Sequence, residues 1–171
     1  MVAGYCAKEY VENGGKAGDL AIVSADDALP YERPPLSKSF LAGKDTEEGV
    51  LINGADFYRN NGIDLKLNIQ ISSIDPDGKR LRTTSGEELA FEKLIFATGA
   101  QVRTLEVPGA SSENVLYLRS LADSKRIRDR AANAKKAVVV GGGFIAMEVA
   151  SVLAGRGIET TMLVREDRIW K

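Results

Sequence analysis

Residues 141–148 read G-G-G-F-I-A-M-E, a run whose chemistry is anion binding by main-chain groups rather than by side chains. Gly141 permits a tight turn, and Gly143 lets backbone N–H groups approach a pyrophosphate at a helix N-terminus. Ala146 stands where a third glycine is usual and is small enough for close helix–strand packing. Gly142, Phe144 and Ile145 complete this candidate dinucleotide-binding turn, and Glu148 is the acid that follows it. The plain alternative is a glycine-rich turn of some other α/β protein.

The flanking elements decide between these. Val138-Val139-Val140 has the composition of a strand buried on both faces of a parallel sheet. After the glycines, Ile145, Val149, Val152 and Leu153 recur at helical spacing and form an apolar face. Gly157 suits the residue just past the helix end, and Ile158–Val164 reads as a second strand. Strand, glycine turn, helix and strand is the context in which G-x-G-x-x-G/A signifies a dinucleotide. Ala137–Gly155 is also nearly long enough to span a bilayer, but three adjacent glycines and Glu148 fit a loop opening a helix better, so no membrane span is expected.

Composition narrows the chemistry further. The 171 residues are 44% hydrophobic and 27% charged with a net charge of -1, the balance of a globular protein with room for one domain or two small ones. That charge gives no reason to expect a nucleic-acid partner. With no histidine, a Ser-His-Asp triad and a His-ligated metal are ruled out; a single Cys6 rules out an internal disulfide and a Cys-x-x-Cys redox pair. Chemistry is therefore expected from a bound organic cofactor. No basic-then-apolar leader opens the sequence, so a reducing, cytoplasmic compartment is the default.

Along the chain, Val2–Asn13 is expected to be helical up to Gly14-Gly15, with Asp19–Ser24 a strand followed by Asp26 and Asp27. Helix, turn, strand and acid form the second half of a Rossmann βαβ unit; its first strand and glycine turn are expected to precede Val2. Leu29–Lys38 reads L-P-Y-E-R-P-P-L-S-K, where Pro34 and Pro35 can open a short helix or simply lie in a loop with solvated Arg33 and Lys38. A short helix is expected at Asp56–Asn61, weak strands at Asp64–Asn68 and Ile69–Ile74, a turn at Asp75–Gly78, and a hairpin of Lys79–Thr83 with Glu88–Phe91. Leu94–Ala97 reads as another buried strand, ending in Thr98-Gly99. Loop-like composition at Val102–Asn114 marks a boundary. Ser120–Asn133 is a charged amphipathic helix burying Leu121, Ile127 and Ala131, its alternating charges a solvated face.

Two successive dinucleotide units, with Y-E-R-P-P-L-S-K and A-T-G-A between them, resemble the FAD-dependent pyridine nucleotide oxidoreductases of the ferredoxin reductase, monodehydroascorbate reductase and apoptosis-inducing-factor type. Gly14–Ser24 is most similar to monodehydroascorbate reductase, and the short Leu41–Phe57 connection to bacterial ferredoxin reductases. The resemblance implies an α/β fold of two truncated Rossmann-like units: residues 1–119 for FAD, with a β-hairpin crossover, and residues 120–171 as the first βαβ of an NAD(P) domain. Asp26 would bind the ribose of the FAD adenosine, Arg33 its phosphates or ribose, and Ile71 would meet the adenine through its backbone. Thr98, Gly99 and Arg119 would lie near the same cofactor. Lys38 would sit beside the flavin ring, stabilising its electron-rich reduced state. Glu148 would lie near the nicotinamide and pair with Lys38; otherwise it is an acid near a helix start, favoured by the macrodipole.

Hydride would then pass from NAD(P)H to FAD, and single electrons onward to a small molecule or small redox protein. Val164 occupies the usual acidic slot, Glu166 matches a ribose-binding glutamate, and Arg165 could meet a 2′-phosphate; the balance favours NADH. Monodehydroascorbate reduction is the leading expectation, with ferredoxin or rubredoxin reduction, or a non-catalytic nucleotide-binding remnant, as alternatives. Without the first FAD strand, the chain alone is expected to bind FAD weakly and to have little activity. An organelle, the oligomeric state and the acceptor stay open.

Overall fold

A computed structural model describes residues 1–165, 167 and 169. The chain is α/β and divides into two units, Met1–Tyr31 with Leu51–Ala100, and Glu32–Val50 with Gln101–Lys171.

In the first unit, helix α1 (Val2–Glu12) leads through Gly14 into strand β1 (Ala21–Val23). After the short helix α2 (Ala55–Asn60), strand β2 (Asp64–Lys66) pairs with β1 in parallel, Ile22 opposite Leu65. Ala7, Ile22, Tyr58 and Ile63 form the core beneath this pair. Burying a ring the size of Tyr58 stabilises by about 1.5–3 kcal/mol. Strands β3 (Ile71–Asp75), β4 (Arg80–Thr83) and β5 (Glu88–Ala90) make a separate antiparallel sheet in that order. The expected hairpin is thus β4–β5, and Arg80 and Arg82 both reach Glu88 across it.

The run Leu94–Ala97 departs from expectation. It forms no strand, and Ile95 and Phe96 are 67% and 66% exposed. A short apolar run becomes a buried strand only when ladders flank it, and no described strand pairs with this one.

The second unit opens with a 3₁₀ turn at Pro34–Ser37, whose first positions are the two prolines. Helix α3 (Leu121–Ala131) begins at a capping box: Asp123 N–H donates to Ser120 Oγ, and Ser120 N–H donates to Asp123 Oδ2. Leu121 and Ala131 are buried as expected, Ile127 is half-buried, and Ser124 on the same face is fully buried. The charges of α3 are only partly solvated, since Lys125 pairs with Glu47, Arg130 with Glu113, and Arg128 lies 4.7 Å above the Phe40 ring.

Strand β6 (Lys136–Val140), helix α4 (Phe144–Gly155) and strand β7 (Glu159–Leu163) follow. The strands are parallel, with Val138 opposite Thr161 and Val140 opposite Leu163. Leu153 and Ile158 share a core with Ala131, against which Ala137, Val139 and Val149 pack. Helix α4 ends in a Schellman turn: Gly157 N–H reaches Ala154 O and Ile158 N–H reaches Leu153 O, with Gly157 at φ +81°. Two expectations are corrected. Val138 and Val140 are 62% and 57% exposed, because β6 is covered on one face only and pairs only with β7 among the described strands. Ile145, in the first turn of α4 and assigned to its buried face, is 55% exposed. No described helix is long and apolar enough to cross a membrane.

Candidate functional site

The glycine turn between β6 and α4 resolves into three distinct demands. Gly141 sits at φ +132°, and a Cβ there would lie 3.3 Å from the Ala146 Cβ. A Cβ on Gly142 would lie 2.7 Å from Val164 Cγ1, so this glycine is needed for packing, a role the sequence pattern does not disclose. Gly143, the N-cap of α4, has an ordinary φ of -85° and open space around the position of a Cβ. Among the described residues nothing explains a glycine there, which is the property expected where a ligand must approach the main chain closely. No side chain caps α4, and its first turn carries no acid.

Glu148 therefore lies beyond the first turn, where the macrodipole has largely faded, and the dipole account of this residue loses its basis. Its carboxylate is held from both sides instead. Oε1 is 3.0 Å from Lys38 Nζ, and Oε2 accepts from Ser37 Oγ at 2.5 Å. Both partners come from the end of the Pro34–Ser37 turn, which packs against α3 and α4. The hydrogen bond from Ser37, followed by that from Lys38 and its charge, holds the Glu148 carboxyl below the usual carboxylate range against a smaller opposing effect of burial. Lys38 and Glu148 border an open cleft of about 560 Å³, which Lys44, Met147, Ser151 and Val152 also line.

Arg33, one residue before the prolines, carries a buried Nη1 with no hydrogen-bond partner among the described residues. Buried guanidinium nitrogens are normally satisfied, and a fork of this kind fits a phosphate. Arg119, half-buried in the same unit, donates its N–H to Asp123 Oδ2 at 3.0 Å.

Four further candidates, Asp26, Ile71, Thr98 and Gly99, belong to the first unit. Asp26 is half-buried, accepting at Oδ2 from the Tyr31 hydroxyl at 2.6 Å and at Oδ1 from Ala28 N–H at 3.2 Å. Ile71 opens β3, while Thr98 and Gly99 are exposed, Gly99 at φ +66°. Glu166 lies outside the described residues. No cluster of three or more metal-ligating side chains occurs among the described residues.

The family profile described as pyridine nucleotide-disulphide oxidoreductase matches residues 2–171, and the chain belongs to that family. It is 40% identical to a rubredoxin-NAD(+) reductase of Pseudomonas putida, over 98% of this chain and 43% of that protein. It is 37% identical to the peroxisomal monodehydroascorbate reductase 4 of Arabidopsis thaliana, over 97% of this chain and 37% of the relative. Among solved structures, a ferredoxin reductase from Rhodopseudomonas palustris superposes with a TM-score of 0.87 at 33% identity, covering 98% of this chain and 41% of that one. The chain thus spans about two-fifths of the length of these relatives.

Proposed function

We propose that this chain carries the flavin- and nicotinamide-facing part of an NAD(P)H-dependent FAD oxidoreductase. On this reading residues 1–119 contribute to FAD binding and residues 120–171 form the first βαβ of an NAD(P)-binding domain, both Rossmann-like. The observation that carries the reading is the Lys38–Glu148 pair at 3.0 Å, its glutamate on the helix that the Gly141–Gly143 turn opens. FAD held by these residues would supply hydride acceptance from a reduced nicotinamide and one-electron release to an acceptor.

The residues do the rest. Gly141, Gly142 and Gly143, with the main chain of Phe144, Ile145 and Ala146, receive the dinucleotide pyrophosphate. Glu148 orients the nicotinamide, and the Lys38 ammonium offsets negative charge gathering at the flavin ring. Arg33 takes an FAD phosphate with the Nη1 that no described residue satisfies. Asp26 holds the adenosine ribose, Ile71 the adenine edge, and Thr98, Gly99 and Arg119 the neighbouring cofactor surface. Val164 leaves the acidic slot without a carboxylate, and Glu166 supplies one for the ribose of NADH. The acceptor is a one-electron partner, a small redox protein or an organic radical such as monodehydroascorbate; the names of the relatives support both kinds.

Titrating the purified chain with NADH, NADPH and FAD by calorimetry tests this reading. Saturable NADH binding that Gly143→Val abolishes is expected, with FAD binding weakly. Equal NADH binding by the native chain and Gly143→Val would overturn it.

A further inference from the structure

Ser37 drew no attention in the sequence, yet it is the most constrained polar side chain around Glu148. It is only 5% exposed, and its Oγ lies 2.5 Å from Glu148 Oε2. Its one alternative acceptor, Pro34 O, is 3.5 Å away, too far to compete for the proton. Lys38, by contrast, is 53% exposed and holds the other carboxylate oxygen through a flexible four-carbon stem. An ammonium on such a stem attracts without fixing direction. A terminal carboxylate torsion is broad and roughly two-fold, so an orienting contact has to come from a group that cannot itself swing. Ser37 has one side-chain torsion and a buried position.

That position is braced from α3. The fully buried Ser124 donates its hydroxyl to Leu36 O at 2.6 Å, clamping the carbonyl immediately before Ser37. A chain of contacts thus runs from α3 through the Pro34–Ser37 turn to α4. We propose that Ser37 is a positioning residue: its hydroxyl fixes the orientation of the Glu148 carboxylate toward the nicotinamide, and Ser124 braces the turn that carries it. The direction toward the nicotinamide rests on the functional reading above; the hold on Glu148 does not.

Charged groups lie on or next to each element packed against α4. Lys38 comes from the 3₁₀ turn, and Lys44 lines the same cleft. On α3, Asp123 is engaged in the capping box, and after α4 Arg156 donates to Leu41 O. Across the strands, Lys136 and Glu159 pair with each other. Loss of the Ser37 hydroxyl thus removes the carboxylate's sole neutral donor among the described contacts, leaving Lys38 in place.

The test is carbon NMR titration of the Glu148 carboxyl in the native 171-residue chain, Ser37→Ala and Ser37→Thr, with NADH and ADP-ribose affinities measured in parallel. Ser37→Ala removes one oxygen, and its circular dichroism is expected to stay native. The expected result is an upward shift of the Glu148 midpoint in Ser37→Ala, restored in Ser37→Thr. NADH affinity should fall about tenfold, the weight of one hydrogen bond to a charged group, while ADP-ribose, which lacks the nicotinamide, binds unchanged. A midpoint that Ser37→Ala leaves in place, while Lys38→Ala moves it, would overturn the proposal. A shifted midpoint with equal loss of NADH and ADP-ribose, or loss of neither, would overturn the nicotinamide assignment. A shifted midpoint in a chain whose native form binds neither nucleotide would sustain Ser37's hold on Glu148 and remove the functional reading instead.

Discussion

Lys38 and Glu148 stand 110 positions apart in the sequence (148 − 38), and their side chains meet at 3.0 Å. The contact arises because the segment carrying Lys38 packs on α4, which carries Glu148. Its meaning is electrostatic: a cation and an anion are presented side by side at a cleft.

The pair is expected to matter little for folding. Lys38 is 53% exposed and Glu148 28%, and partly solvated ion pairs contribute about 0–1 kcal/mol. Lys38→Ala should therefore change unfolding free energy in urea by less than about 1 kcal/mol. A larger loss would mean that the pair is chiefly structural.

The pH dependence follows from the depressed carboxyl of Glu148. A carboxyl held lower in the folded than in the unfolded chain stabilises above its unfolded value, about 4.3, and loses that contribution as pH falls through the lower folded value. Stability curves of native chain and Glu148→Gln should thus differ at neutral pH and converge below about 4.3. Curves that stay parallel into acid would show that the carboxylate's charge is not what its partners hold.

The glycine turn offers a contrast within three consecutive residues. Gly142→Ala would press a Cβ to 2.7 Å from Val164 Cγ1, costing about 1–3 kcal/mol as overpacking does. Adding Val164→Ala should return most of that loss. Gly143→Ala meets nothing within 4 Å and should leave stability within about 0.5 kcal/mol while weakening dinucleotide binding. Thermal melts of the three variants, with NADH titrations, separate the packing glycine from the ligand glycine.

Arg33 gives the flavin-side prediction. Its buried Nη1 makes no hydrogen bond with the described residues, which leaves that nitrogen for a ligand. FAD affinity should fall at least about tenfold, as for loss of a charge-assisted bond. Fluorescence quenching of FAD by native and variant chains measures it; unchanged quenching would remove Arg33 from the phosphate site.

How much of this was legible in advance depended on the range of the interaction. Gly157, the capping Ser120 and the β4–β5 turn are local devices, and each element ended where its own residues dictate. Burial is set at long range. Val138, Val140 and Leu94–Ala97 are apolar enough for a covered sheet, but a run of side chains does not state what covers it, and these are largely exposed. In the candidate site, the glycines and the Lys38–Glu148 pairing were foreseeable, the pairing only through resemblance to a family. Ser37 and Ser124 were not, because a buried serine differs from a solvated one only through its distant partner, and Ser37 meets Glu148 across 111 residues.

The most direct test of the account is single-turnover reduction of FAD by NADH, with the flavin supplied in excess to the chain under anaerobic conditions. In keeping with the chain's weak hold on FAD, the account predicts a slow but measurable loss of the flavin's visible absorbance, at a rate that Lys38→Ala and Glu148→Gln each lower at least about tenfold, the effect of removing one preorganised charge. A chain with both nucleotides bound and the flavin still oxidised would contradict it.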